Sequence, residues 1–165
     1  MNPRAEPADR VLTLTRLINA PRSLVFPAWF EPAQLARWWG PHGFTLPHCE
    51  VDFRVGGGYR FCMRAPAGSD HWVWGTYEEI VPPSRLVFTW HRTETPSTVD
   101  PWAVSRVTVT FAEEAGKTRL TMHQAVFPRA WECLDHRGGW TESLDRLVAF
   151  AGQTALVGNF QPQPT

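Results

Sequence analysis

With 165 residues, 43% of them hydrophobic and 13% aromatic, the chain excludes disorder and matches one domain, which at this size hides roughly 70% of its unfolded surface. Lys plus Arg and Asp plus Glu number 16 each, leaving zero formal charge, so nothing draws the chain to phosphate backbones or anionic lipid, and nucleic acid and membrane are excluded as partners. Cys49, Cys62 and Cys133 form an odd set without CxxC spacing, which excludes a disulfide framework or zinc knuckle and fits a reducing cytoplasm. The start, MNPRAEPADR, reads as no secretory signal, and no stretch approaches the roughly 18 apolar residues of a spanning helix.

Residues 1–8 and 159–165 (the latter reading NFQPQPT) carry no apolar periodicity and are expected as flexible tails around a domain at 9–158. From Val11, Leu12, Leu14, Leu17 and Ile18 mix with threonines as in a strand ending at Asn19-Ala20-Pro21. Pro21 then opens a helix with Leu24, Val25, Ala28 and Trp29 at helical spacing, and QLARWW gives a second short helix stopped by Gly40-Pro41. Pro27 is tolerated if Ser23 is the N-cap and makes a kink if the helix starts at Arg22.

After Gly43 the period becomes two, as in an antiparallel meander. Runs are expected at 44–55, 59–64, 71–80, 85–91, 106–111 and 118–126. Their punctuation is Gly56-Gly57-Gly58, the turn at 65–68, Pro82-Pro83, a polar loop at 92–101 and the turn at 113–116. The Gly triplet reads as a turn between strands, because no helix follows it to hold a phosphate. The last element is a helix with Trp140, Leu144, Leu147, Val148, Ala151 and Ala155 on one face and Glu142, Asp145 and Arg146 on a wet one. The fold class is α+β: a curved antiparallel sheet of about seven strands around a long C-terminal helix, with two short helices after the first strand. Nine tryptophans suit a deeply concave interior.

The runs NAPRSLVFPAWFEPAQLARWWGP, EVDFRVGGGYRF, GTYEEIVPPSRLVFTW and TRLTMH, then GGW with Leu144 and Leu147, closely resemble the activator of Hsp90 ATPase homologues within the START-like (SRPBCC) helix-grip superfamily. The likeness covers roughly Val11 to Leu156. It implies a hydrophobic cavity between sheet and C-terminal helix, which relatives use to bind lipids and steroids, to cyclise polyketides or to dock proteins. Pro27, where the family generally has a helix-friendly polar residue, and the tryptophans at Trp72, Trp74 and Trp102 depart from the pattern.

Candidate lining residues follow from alternation: Phe53, Tyr59, Phe61, Met63, Phe88, Trp90, Val109 and Met122 from the sheet, Trp140 and Leu144 from the helix. In the run at 71–80, Trp72, Trp74 and Thr76 oppose Val73, Gly75 and Tyr77, and Trp74 joins the candidates. Asp52 and Arg54 share a strand face by period two, either as a rim salt bridge or as polar anchors at the cavity mouth. Parity puts His123 opposite Leu120 and Met122, in a packing or turn role. Cys62 stands between Arg60 and Arg64, which would lower its thiol pKa if exposed. No histidine spacing signals a metal, no triad is visible, and no cofactor is expected. The reading is therefore a cytoplasmic binder of a small hydrophobic or aromatic molecule, monomer or homodimer. Its alternatives are a co-chaperone or protein-docking domain and a cyclase- or hydrolase-like enzyme.

Overall fold

The computed structural model describes residues 8–92 and 104–158. The tails at 1–7 and 159–165, most of the loop expected at 92–101, and Trp102 lie outside the described residues, while Ala8 opens a short 3-10 turn, Ala8–Arg10. Seven strands follow: β1 (Leu12–Ile18), β2 (Thr45–Val51), β3 (Gly58–Arg64), β4 (Asp70–Val81), β5 (Arg85–Arg92), β6 (Ser105–Glu114) and β7 (Lys117–Ala125). The helices are α1 (Arg22–Val25), α2 (Pro32–Trp38) and the long α3 (Ala130–Gly158). This is the expected α+β helix-grip arrangement.

All pairings are antiparallel in the order β1-β7-β6-β5-β4-β3-β2. Consecutive strands from β2 to β7 are neighbours, whereas β1 joins β7 at the far edge. The chain therefore crosses the sheet between β1 and β2, and α1 and α2 carry it across. Pro27 shapes that crossing. The helix starts at Arg22, and at Phe26 it tightens into a 3-10 turn, Phe26–Trp29, with Pro27 near its start. A proline there has no N–H to continue the α ladder, so the kink alternative holds, and Trp29 is delivered into the core at 2% exposure.

Three expectations need correcting. The run at 44–55 is sheet only to Val51; Asp52–Val55 bend out into the glycine turn, where Gly56 takes φ +85. On β4 the inward residues are Val73, Gly75 and Tyr77, so Trp74 lies on the outer face, 37% exposed and stacked on His91 at 5.7 Å. Gly75 is the reason: a Cβ there would fall 2.7 Å from a Tyr59 ring carbon and 2.0 Å from the Thr89 carbonyl oxygen. The Tyr59 ring occupies the place a side chain would take. Finally, α3 begins at Ala130, well ahead of Trp140. Gly138 and Gly139 lie inside it, each costing only about 1 kcal/mol relative to Ala, which a long packed helix absorbs.

The core lies between the sheet and α3. Leu12, Ile18, Leu120, Met122, Leu144 and Leu147 are fully buried there, each such side chain contributing about 1.5–3 kcal/mol. On its flank α3 departs from the wet face expected of it. Arg146 is half-buried, and its Nη1 lies 3.3, 2.9, 3.1 and 3.3 Å from the carbonyl oxygens of Trp39, Gly40, Pro41 and Phe44. Burial lowers its pKa, but from so high an ordinary value that the guanidinium stays charged. Its Nη1 has two protons to share among these carbonyls, which line the connection after α2.

Candidate functional site

Where α3 begins, sheet and helix do not close on each other. A cavity of about 480 Å3 opens between the first half of α3, the connection after α2 and the inner faces of β3–β5, within the ~300–1,000 Å3 usual for small-molecule sites. Trp39, Trp90, Trp140, Phe44, Met63 and Val73 form its apolar walls. His71, Asp135, His136, Glu142 and Ser143 supply polar groups. Each wall has a local cause. Trp39 caps α2 in an extended conformation, before Gly40 at φ +102. Trp90 is inward on β5, and His136 and Trp140 stand four apart on one face of α3.

Two indoles are fixed by hydrogen bonds in the wall. Trp90 Nε1 donates to His136 Nε2 at 3.0 Å, and His136 Nδ1 lies 2.7 Å from the Glu132 carbonyl oxygen. An indole can only donate, so His136 Nε2 must be bare and the proton sits on Nδ1, where it is given to that carbonyl. Trp140 Nε1 donates to Gln124 Oε1 at 2.8 Å, and Gln124 Nε2 donates to Ser105 Oγ at 2.9 Å. Gln124 is fully buried, so these bonds are shielded from water, and losing one would strand its partner. Glu142 accepts from the His42 backbone N–H at 3.2 Å, which ties the mouth to the α2–β2 connection.

The cysteines offer no activated nucleophile. Cys62 is 2% exposed, and burial raises its pKa against the smaller opposing pull of Arg64 and Arg60. Burial likewise pushes Cys49 up to about 11 and raises Cys133. Tyr59, whose hydroxyl donates to the Thr89 carbonyl at 2.6 Å, is raised by burial as well. Among the described residues no group of three or more His, Cys, Asp or Glu is placed to hold a metal ion.

Of the candidate lining residues, Met63, Trp90 and Trp140 meet at this cavity. Tyr59, Phe61 and Phe88 border a separate void of about 10 Å3 deeper in the core. Phe53 instead stacks on Phe30 at 3.8 Å, while Val109, Met122 and Leu144 are fully buried in the packed core. Trp74 contributes to an outer groove of about 740 Å3 with Glu50, Asp52, Arg60 and Trp72, on the side of the sheet away from α3. Arg60 lies 4.2 Å over the Trp72 ring there. Asp52 and Arg54 form an exposed ion pair at 3.0 Å beyond the end of β2. Asp52 borders the outer groove, so the pair takes the salt-bridge alternative and the cavity mouth is furnished by α3. His123 faces outward, its Nδ1 2.9 Å from Thr13 Oγ1. Sequence reasoning missed Trp39, Phe44, Val73 and His136 as lining. For His136 the available signal was its four-residue spacing from Trp140.

Known proteins give this geometry a context. The sequence model of the family described as activator of Hsp90 ATPase homolog 1-like protein matches residues 19–152. The crystal structure of protein CV1439 from Chromobacterium violaceum is 31% identical, covering 86% of this chain and 97% of its own, with a TM-score of 0.73. That of the AHSA1 protein from Silicibacter pomeroyi is 27% identical, covering 89% of this chain and 99% of its own, with a TM-score of 0.71. CalU16 from Micromonospora echinospora, 22% identical over 89% of this chain and 79% of its own, shares the fold at a TM-score of 0.64. No curated protein matches the chain.

Proposed function

The chain belongs to the activator of Hsp90 ATPase homolog 1-like family, and from that premise we propose that residues 9–158 act as one cytoplasmic binding domain for a small, largely aromatic molecule held between sheet and α3. The observation that carries this reading is the cavity of about 480 Å3 walled by Trp39, Trp90 and Trp140. Two of those rings are held in place by hydrogen bonds to His136 and Gln124. Fixed aromatic walls offer stacking area without the entropy of ordering them on binding. Asp135 and Glu142 at the mouth disfavour an anionic ligand and suit a neutral or cationic one. With burial holding the thiols protonated and no activated nucleophile in the walls, the site is suited to binding rather than to covalent chemistry.

The test is a fluorescence titration with the neutral dye N-phenyl-1-naphthylamine. Saturable binding is expected with a Kd on the order of 1–10 μM, or about −7 to −8 kcal/mol. Trp90→Ala should weaken it about tenfold or more. A folded protein that takes up neither this dye nor a panel of neutral steroids and aromatic compounds would remove the reading and leave protein docking as the family's remaining use here.

A further inference from the structure

The void behind the pocket, about 10 Å3, is lined by Trp29, Trp39, Tyr59, Phe61, Tyr77 and Phe88. Trp39 is the lining residue common to void and pocket, so its side chain stands between them. The indoles nearby differ in one respect. Trp38 Nε1 donates to the Ala28 carbonyl at 2.9 Å, and those of Trp90 and Trp140 are bonded as described. Trp29, at 2% exposure, has a buried Nε1–H with no partner. A buried donor left unpaired is costly and rare in a folded core, and each instance calls for an explanation.

A single water is a tight alternative. The void is at the lower limit for one, and a buried water draws on about two to four polar partners. Phe61 and Phe88 offer none, and the Tyr59 hydroxyl proton is spent on Thr89, which leaves the Tyr59 oxygen as an acceptor and the Tyr77 side chain as the other polar group on the lining. Trp39, meanwhile, is the one pocket tryptophan whose indole no hydrogen bond pins among the described residues. Its backbone is held, since Arg146 reaches the Trp39 and Gly40 carbonyls, while its buried ring is kept in place only by aromatic contacts, with Trp29, Trp38, Phe61, Trp90 and Trp140. A turn away from Phe61, 5.0 Å distant between ring centroids, joins void and pocket and adds the space the indole vacates.

We propose that Trp39 is a movable partition, and that behind it lies an inner subsite in which the Trp29 Nε1–H receives a hydrogen-bond acceptor, a ketone or similar carbonyl oxygen, at the end of an elongated aromatic ligand. This rests on the ligand-binding reading of the outer pocket and adds to it the chemistry of the ligand's buried end.

The experiment uses the full chain labelled with 15N and follows the indole N–H signals, assigned through single Trp→Phe variants. Two probes are compared: 4-acetylbiphenyl, and 4-isopropenylbiphenyl, in which a CH2 replaces the ketone oxygen. Both should move the Trp90 and Trp140 signals, and only the ketone should move the Trp29 signal downfield. The ketone should bind roughly three- to tenfold tighter than the olefin, a preference that vanishes in Trp29→Phe. Trp39→Leu should tighten both probes severalfold. If Trp90 and Trp140 respond while Trp29 ignores both probes, the inner subsite is refuted and the outer pocket stands. Silence from every indole refutes the outer pocket, and the subsite with it. A Trp29 signal that exchanges with water and stays put on adding either probe means a buried water only, and overturns the proposal. Should Trp29→Phe fail to fold, the unsubstituted chain still decides, because its Trp29 signal is then assigned by elimination from the other variants.

Discussion

The two ends of the sheet are packed differently under one helix. At the β1–β7–β6 end, Leu12, Ile18, Val107, Val109, Leu120 and Met122 have no exposed surface, and α3 lays Leu144, Leu147 and Ala151 into the same core. At the β2–β3–β4 end no residue of β2 is fully buried, Val51, Phe53 and Met63 are only partly covered, and the first turns of α3 stand off behind the cavity. The first arrangement gains free energy from packing. The second gives some of it up, and binding sites arise where a fold can spare stability in one place because it is secured in another.

Substitutions at the two ends should separate these roles. Phe111→Ala, in the closed half at 1% exposure, should cost about 3–5 kcal/mol in urea unfolding with an unchanged m-value. Met63→Ala in the pocket wall should cost about 1–2 kcal/mol and weaken the dye instead. Equal costs would erase the distinction. Gln124→Leu strands the Trp140 N–H and Ser105 together, and should destabilise by about 1–3 kcal/mol while loosening dye binding, because β7 holds a ring of the open half. Trp90→Phe keeps an aromatic wall but removes the indole N–H that His136 Nε2 accepts. A loss of about 1–2 kcal/mol, with dye affinity down severalfold, is expected by the same two measurements.

Smaller still is Trp74→Ala, on the outer face. It should change stability by less than about 1 kcal/mol and leave the dye titration where it was; a shifted titration would move the site to the outer groove. The least effect concerns acid. The hydrogen bond from Arg64 holds Asp70 below its ordinary carboxylate pKa. A lowered folded value stabilises above the ordinary pKa and is lost as pH falls through the lowered one. The stability gap between the unsubstituted chain and Arg64→Met should therefore be flat near neutrality and shrink below roughly pH 4, and added salt should shrink it at any pH.

Much of this was legible from residue order because strands and turns are local facts. Period two found the strands, Gly and Pro placed the turns, and the stripe from Trp140 to Ala151 identified the helix. What escaped depended on neighbours distant in sequence. Hydrophobicity alone turns Trp74 inward; only the Tyr59 ring lying against Gly75 turns it out. Period two carried Asp52 and Arg54 along a strand that had already ended at Val51. Arg146 falls on the polar side of α3, and nothing in the helix itself says that the α2–β2 connection folds over that side. The pocket was half visible, since Met63, Trp90 and Trp140 follow from alternation and helical spacing. Trp39 and His136 needed the third dimension to join them.

The guanidinium of Arg146 has a consequence for how anything gets in. By gathering the carbonyls of Trp39, Gly40, Pro41 and Phe44, and with Glu142 holding the His42 amide, α3 and one lip of the mouth become a single rigid body. Across the opening, that lip meets the β3–β4 hairpin at Gly43, where a Cβ would fall 2.8 Å from Pro66 Cγ, and is joined to it by the β2–β3 ladder, which pairs Thr45 with Arg64 and then shifts register before His48 and Cys62. A doorway with one side bolted and the other held by a shifted ladder opens at the looser side. Entry and exit are then expected to follow the breathing of the β3–β4 hairpin, whose amides should exchange with deuterium sooner than those of β6 and β7.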